Sequence, residues 1–172
     1  TKNEAPWHFD TIFFGGGTPS LLEASSIEKI ISTLNKYLDL SNIEEFTVET
    51  NPGEIEYNRL KDFLSIGVNR LSLGFQSFDD NLLSFLGRLH SSKDCIKTYE
   101  NARKAGFGNI NADLIFDIPG QTIERWKQDL KTLVELEPEH ISTYSLTVEK
   151  QTNLFKLVQA GRVTMPSETL DI

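Results

Sequence analysis

Two carboxylates, Glu49 and Asp113, and a carboxamide, Gln76, stand at or near the ends of strand-like runs, where a ligand is most easily met, and a guanidinium, Arg88, interrupts a helical run. Glu49 precedes the turn Asn51-Pro52-Gly53, so its carboxylate can take an ammonium, a sulfonium or ribose hydroxyls; the alternative is a salt-bridged structural glutamate. Asp113 is flanked by apolar residues, and a buried carboxylate costs several kcal/mol unless it is paired. Arg88, in Gly87-Arg88-Leu89-His90, offers a fork that fits a carboxylate bidentately, while the neighbouring His90 reads more readily as structural than as catalytic. Gly15-Gly16-Gly17-Thr18-Pro19-Ser20 lets the backbone approach a ligand and expose N–H groups. Thr18 as N-cap with Pro19 at the first helical position would offer a helix N-terminus to an anion; a tight strand-to-helix turn is the other reading. No Lys follows at the Walker A spacing. Thr147 stands just beyond a fifth strand, and Ser77 is a candidate cap for the helix after Gln76.

The elements that must position these groups are five short runs rich in Phe, Ile, Val, Leu, Thr and Tyr: Thr11–Phe14, Glu45–Glu49, Arg70–Gly74, Ile110–Ile115 and Ile141–Leu146. Their starts lie 34, 25, 40 and 31 residues apart, close to the roughly 30 residues of a βαβ unit. Helical periodicity fills the gaps over Leu21–Leu38, Tyr57–Ile66, Ser91–Lys104, Thr122–Leu136 and Asn153–Gly161. Gly106 suits the left-handed residue after the third helix, and Pro138 stops the fourth. Trp7, Trp126 and most Phe residues read as packing, and Glu23, Asp79 and Asp80 as solvated surface carboxylates. The fold class is α/β: a partial, open (β/α) barrel of parallel strands with outer helices.

At 172 residues the chain falls short of the roughly 250 that close an eight-stranded barrel. With 17 basic and 25 acidic residues its net charge of −8 repels phosphate backbones, so no nucleic-acid partner is expected. No apolar run reaches the roughly 18 residues of a membrane span, and no signal-peptide pattern precedes Phe9. The start at Thr1, the lone Met165 and a helix start at Ser167, five residues before the end, read as one core excised from a longer protein, truncated at both ends. A strand missing at the sheet edge would leave an unpaired ladder, and self-association through that edge is expected.

Taken in order, Phe14–Ser20, Glu49–Gly53, Gly67–Phe78, Leu86–His90 and Asp113–Thr122 resemble the radical S-adenosylmethionine family. The subgroup is that of the oxygen-independent coproporphyrinogen III oxidases and the HemW-type heme chaperones. Glu49-Thr50-Asn51-Pro52-Gly53, Leu86–His90 and Thr147-Val148-Glu149 are more similar to the chaperone spelling; Thr50 and Asp117-Ile118 depart from the patterns of both subgroups. The resemblance implies that Gly16, Gly17 and Thr18 touch the methionine portion of S-adenosylmethionine. It also implies that Glu49, Gln76, Arg88, Asp113 and Thr147 help hold the cofactor. It further implies a [4Fe–4S] cluster in the intact protein, heme or coproporphyrinogen III as small-molecule partner, and a cytoplasmic setting.

The family's Cys-x-x-x-Cys-x-x-Cys loop is absent, since Cys95 is the only cysteine. Three thiolates are needed to leave one iron open, so this chain by itself is expected neither to bind the cluster nor to generate a radical. Cys95 reads as a small hydrophobe on a helix.

Overall fold

In the computed structural model, which describes residues 8–166, period-two alternation decides which side of the sheet meets helices. The strands are β1 (Thr11–Phe14), β2 (Glu45–Thr50), β3 (Arg70–Gln76), β4 (Ile110–Phe116) and β5 (His140–Ser145). Phe46 and Val48 of β2, Leu71, Leu73 and Phe75 of β3, and Ile110, Ala112 and Leu114 of β4 are all buried in one apolar core. The residues between them, including Glu45, Glu49, Ser72, Gln76, Asn111 and Asp113, are polar and share the other face. All neighbours are parallel and the spatial order is β1-β2-β3-β4-β5, so the sheet winds in one direction as a curled half-barrel, the partial (β/α) barrel expected.

The helices are α1 (Ala24–Leu34), α2 (Tyr57–Ser65), α3 (Asp80–Phe85), α4 (Ser92–Ala105), α5 (Ile123–Glu135) and α6 (Asn153–Gln159). Ile27, Leu60, Phe63, Tyr99, Ala102 and Leu133 bring α1, α2, α4 and α5 against the apolar face of the sheet. Cys95 is fully buried there, as a small hydrophobe should be. A capping box of Ser91 and Asp94 starts α4, and Gly106, at φ +119°, ends it in the left-handed region expected of it. Trp126 of α5 packs on the core with its ring 5.7 Å from that of Phe116.

Several local expectations are corrected. The helix expected over Leu21–Leu38 is a 3-10 turn at Pro19–Leu21, an extended Leu22-Glu23, and then α1. The cause is tertiary. Arg59 of α2 donates to the carbonyls of Ser20 (3.3 Å) and Leu21 (3.5 Å), acceptors that a continuous helix would have used internally. Arg59 also pairs with Glu23 at 2.6 Å, so that carboxylate is a tether rather than merely solvated. Ser77 does not cap α3. Asp79 does, accepting from the amides of Asn81 and Leu82, and Asp80 accepts from the Ser92 amide at 2.8 Å. Neither aspartate is an idle surface charge. Strand β5 begins and ends one residue earlier than expected because His140 is in register with Asn111. Trp7 and the helix start at Ser167 lie outside the described residues.

Candidate ligand cleft at the carboxyl ends of the strands

Strand β1 runs into Gly15, whose lack of a side chain is a matter of space. A Cβ there would lie 2.7 Å from the Phe13 ring and 3.1 Å from the Glu49 carboxyl carbon. Gly16 and Gly17 follow at φ +81° and +59°, a left-handed pair that glycine adopts without strain. The turn delivers the Gly16 amide to Glu49, which accepts at 2.8 Å through Oε2. One of the N–H groups expected to face a ligand is therefore spent on orienting a carboxylate. Thr18 makes no helix-cap bond; its hydroxyl accepts from the Asn51 carboxamide at 3.4 Å. The helix N-terminus that Thr18 was expected to offer to an anion is thus replaced by a three-residue turn.

Strand β3 ends irregularly. Its register against β4 shifts between Leu73 and Gln76, and Gln76 itself has φ +68°. That conformation costs a non-glycine residue about 1–3 kcal/mol, which the surroundings must supply. Gly74 gives the Gln76 side chain room: a Cβ there would stand 2.8 Å from Gln76 Nε2 and 3.1 Å from Asn51 Oδ1. On β4, Asp113 accepts from Asn111 Nδ2 at 2.7 Å and from the Ser72 hydroxyl at 3.3 Å. Burial pushes the Asp113 carboxyl above its ordinary range, these donors push it back, and the charge of Glu49 adds to the rise. The two carboxylates therefore sense one another across the cleft.

Gly17, Thr18, Glu49, Gln76, Arg88 and Asp113 line one cleft of about 200 Å³ at the carboxyl ends of the strands. That volume is below the roughly 300–1,000 Å³ of enclosing ligand pockets, so the cleft has room for only part of a ligand of that size. Gly16 reaches its rim through Glu49. Thr147 is exposed beyond β5 and is not part of the lining. Pro19, Thr50, Asn51, Ser72 and Gly74 also line it, beyond the residues expected to hold a ligand. The signal for Ser72 and Gly74 was available, because both lie at even steps from Gln76 on one strand face. A larger depression of about 560 Å³, lined by Asp10, Glu44, Asn69 and Asn109, lies at the opposite, amino ends. Parallel β/α folds place their chemistry at the carboxyl ends, which favours the smaller cleft.

Among the described residues Arg88 takes part in no ion pair, although the cleft it lines carries two carboxylates. An unpaired guanidinium can take a carboxylate from outside, while Glu49 can take an ammonium, and Asp113 with Gln76 can take vicinal hydroxyls. The set is complementary to a zwitterionic amino acid joined to a ribose. His90 belongs elsewhere. It is buried, with Nε2 3.2 Å from the Phe75 carbonyl, and burial, the largest influence, holds its pKa below the ordinary value. Asp117, at φ +60°, accepts from the Ser145 hydroxyl at 2.7 Å and closes the β4–β5 end.

An arc of parallel strands with a polar inner face and a Gly-rich first turn defines the class. The chain belongs to the Radical SAM superfamily, whose family model matches residues 2–133. It is 43% identical to the heme chaperone HemW of Bacillus subtilis over 92% of its own length and 42% of the relative's. It is 42% identical to radical S-adenosyl methionine domain-containing protein 1, mitochondrial, of Danio rerio, over 92% of this chain and 36% of that one. The solved structure of the coproporphyrinogen III oxidase HemN from Escherichia coli superposes with a TM-score of 0.76 at 27% identity, over 92% of this chain and 36% of that chain. The archaeal Elp3 of Methanocaldococcus infernus, at 22% identity and a TM-score of 0.77, shows the fold alone. The chain thus spans about two-fifths of the length of these curated relatives. No helix among the described residues is long and apolar enough to cross a membrane.

The residues present fit the two groups that the family's members use differently. The cleft's donors and acceptors suit S-adenosylmethionine. They do not suit an iron–sulfur cluster: among the described residues no three His, Cys, Asp or Glu side chains converge. The single thiol, Cys95, is fully buried and its pKa is pushed up to about 12, chiefly by desolvation. Cluster ligands would have to come from outside this chain.

Proposed function

We propose that this half-barrel is the S-adenosylmethionine-holding part of a HemW-type heme chaperone. In this reading Arg88 takes the α-carboxylate of the cofactor and Glu49 its α-ammonium or a hydroxyl. Asp113 and Gln76 take the ribose hydroxyls, with Gly16, Gly17 and Thr18 against the methionine chain. Thr147, outside the cleft in this structure, would join only if the segment after β5 folds inward. The observation that carries the reading is the unpaired Arg88 in a cleft it shares with Glu49 and Asp113. When bound, S-adenosylmethionine supplies a sulfonium and, with a cluster, a route to radical chemistry. The residues of this chain bind and orient it. The full-length protein would carry the [4Fe–4S] cluster on cysteines outside this chain, bind heme and pass it on, in a cytoplasmic setting.

The likeness to the Escherichia coli coproporphyrinogen III oxidase supports a second reading, an oxygen-independent oxidase that decarboxylates propionate side chains. The higher identity to the Bacillus subtilis chaperone favours the first. Anaerobic heme titration and coproporphyrinogen turnover, run side by side on the full-length protein, separate them. Stoichiometric heme uptake without decarboxylated product supports the chaperone, and product formation supports the oxidase.

Self-association belongs to the same proposal. Among the described residues β1 pairs only with β2 and β5 only with β4, leaving two open sheet edges. Light scattering of this chain should report a dimer or larger species, and a monodisperse monomer at high concentration contradicts it.

A further inference from the structure

Gln76 sits in the cleft with φ +68°, at the point where β3 loses register with β4. Something must hold the chain there, and the next two residues show what does. The Ser77 hydroxyl donates to Asp129 Oδ2 at 2.7 Å, and the Phe78 amide donates to Asp129 Oδ1 at 2.8 Å. The Asp79 amide in turn donates to the Ser77 hydroxyl at 3.0 Å, and one turn earlier on α5 Arg125 pairs with Asp79 at 3.5 Å. Asp129 is only 2% exposed and belongs to α5, whose Leu133 packs in the apolar core on the helix side of the sheet. Burying a carboxylate is costly, and a side chain needed only for packing would be apolar. Here both of its oxygens are used on consecutive residues directly after Gln76.

We infer that Asp129 is a positioning residue: from the helix side of the sheet it clamps the strained end of β3 and thereby sets the Gln76 carboxamide in the cleft. The inference rests on the reading of that cleft as the S-adenosylmethionine site. Asp129 itself touches no ligand. Its effect passes through Ser77 and Phe78 to the backbone of Gln76, so losing the clamp should change ligand affinity chiefly through Gln76.

The test is a calorimetric titration of S-adenosylmethionine into the full-length protein, with thermal midpoints recorded alongside. Asp129→Asn, which keeps the shape but not both acceptors, and the milder Ser77→Ala should each weaken binding by about three- to tenfold. In a Gln76→Ala background, Asp129→Asn should change affinity by less than about twofold while still lowering the thermal midpoint. Leu133→Ala, a core cavity on the same helix, should lower the midpoint and leave affinity as in the wild type. Unchanged affinity in the Ser77 and Asp129 variants overturns the positioning role. So does an equal loss in the Gln76→Ala background, or an equal loss from Leu133→Ala. If Asp129→Asn does not fold, Ser77→Ala carries the decision. A wild-type protein that binds no S-adenosylmethionine removes the reading of the cleft, and the inference with it; wild-type binding with indifferent variants removes the inference alone.

Discussion

The Gly16 amide donates to Glu49 Oε2 at 2.8 Å, tying the Gly-rich turn after β1 to the end of β2. The bond links a backbone that only glycines follow easily to a carboxylate in the cleft, so turn and ligand group are fixed together. Glu49→Gln keeps an acceptor of the same shape but removes the charge. Affinity for S-adenosylmethionine should fall about tenfold in the full-length protein, the cost of one charge-assisted hydrogen bond. The thermal midpoint should stay near that of the wild type. Titration calorimetry and a thermal melt read both, and an unchanged affinity contradicts the role given to Glu49.

Gly74→Ala separates ligand geometry from folding. The new Cβ would meet Gln76 Nε2 at 2.8 Å, but that atom is the far end of a flexible side chain and can move away. Its departure empties one polar position of the cleft at little cost to the core. The expected result is a clear loss of S-adenosylmethionine affinity with a midpoint lowered by no more than about 4 °C. Wild-type affinity would show that Gln76 is not a ligand group.

His90 gives the fold a pH dependence. Burial holds its pKa below the ordinary value, so the native state favours the neutral ring. Its contribution is fully present above about pH 6.5, the unfolded value, and is lost as pH falls through the lower folded value. The paired carboxylates Asp80, Asp94 and Glu139, whose pKa values are also lowered, lose their contribution only in more acidic solution. Asp113 and Asp129, whose buried carboxyls are held above their ordinary range, act in the opposite direction, so the His90 contribution is read as a difference. In urea denaturation between pH 5 and pH 8, stability on the acid side should fall more, or rise less, in the wild type than in His90→Gln. Identical slopes in the two proteins contradict this.

Much of this arrangement was legible in the sequence. Alternation in Glu45–Glu49, Arg70–Gly74 and Ile110–Ile115 marks three parallel strands, and their polar ends mark the cleft, because local periodicity directly encodes which face is buried. What was not legible came from contacts distant in sequence. Arg59 interrupts the first helix by taking the carbonyls of Ser20 and Leu21, 39 and 38 residues away. Ser77 reads as a cap from its position, yet its hydroxyl donates to Asp129, 52 residues on. Thr147 follows the fifth strand in the chain but is exposed and does not line the cleft: β5 ends at Ser145, and only the Leu146 amide still reaches β4, at the Phe116 carbonyl (2.9 Å).

Cys95 should be inert. Its thiol is fully buried and shifted up to about 12, so almost no thiolate exists at neutral pH. A thiol reagent added to the native chain should modify it only at the rate of unfolding, and rapid stoichiometric labelling would contradict the buried position.

Arg103 of α4 donates to Glu139 at 2.8 Å, and Glu139 accepts from the Ile110 amide at 2.8 Å, so the pair joins the end of α4 to the starts of β4 and β5. Arg103 also reaches the Glu137 carbonyl at 2.9 Å. Arg103→Ala should cost about 1–2 kcal/mol in urea denaturation, more than a lone exposed ion pair, because hydrogen bonds to backbone groups go with it. A change below about 0.5 kcal/mol would place the pair among idle surface contacts.

The most direct measurement is a titration of S-adenosylmethionine into the full-length wild-type protein and its Arg88→Ala variant. Arg88 is the unpaired cation among the described residues of the cleft, and a guanidinium fork is the strongest partner there for the ligand's α-carboxylate. Saturable binding by the wild type, weakened at least about tenfold in the variant at an unchanged thermal midpoint, is the expected result. Equal affinity in the two proteins, or no binding by the wild type, would contradict the assignment of this cleft.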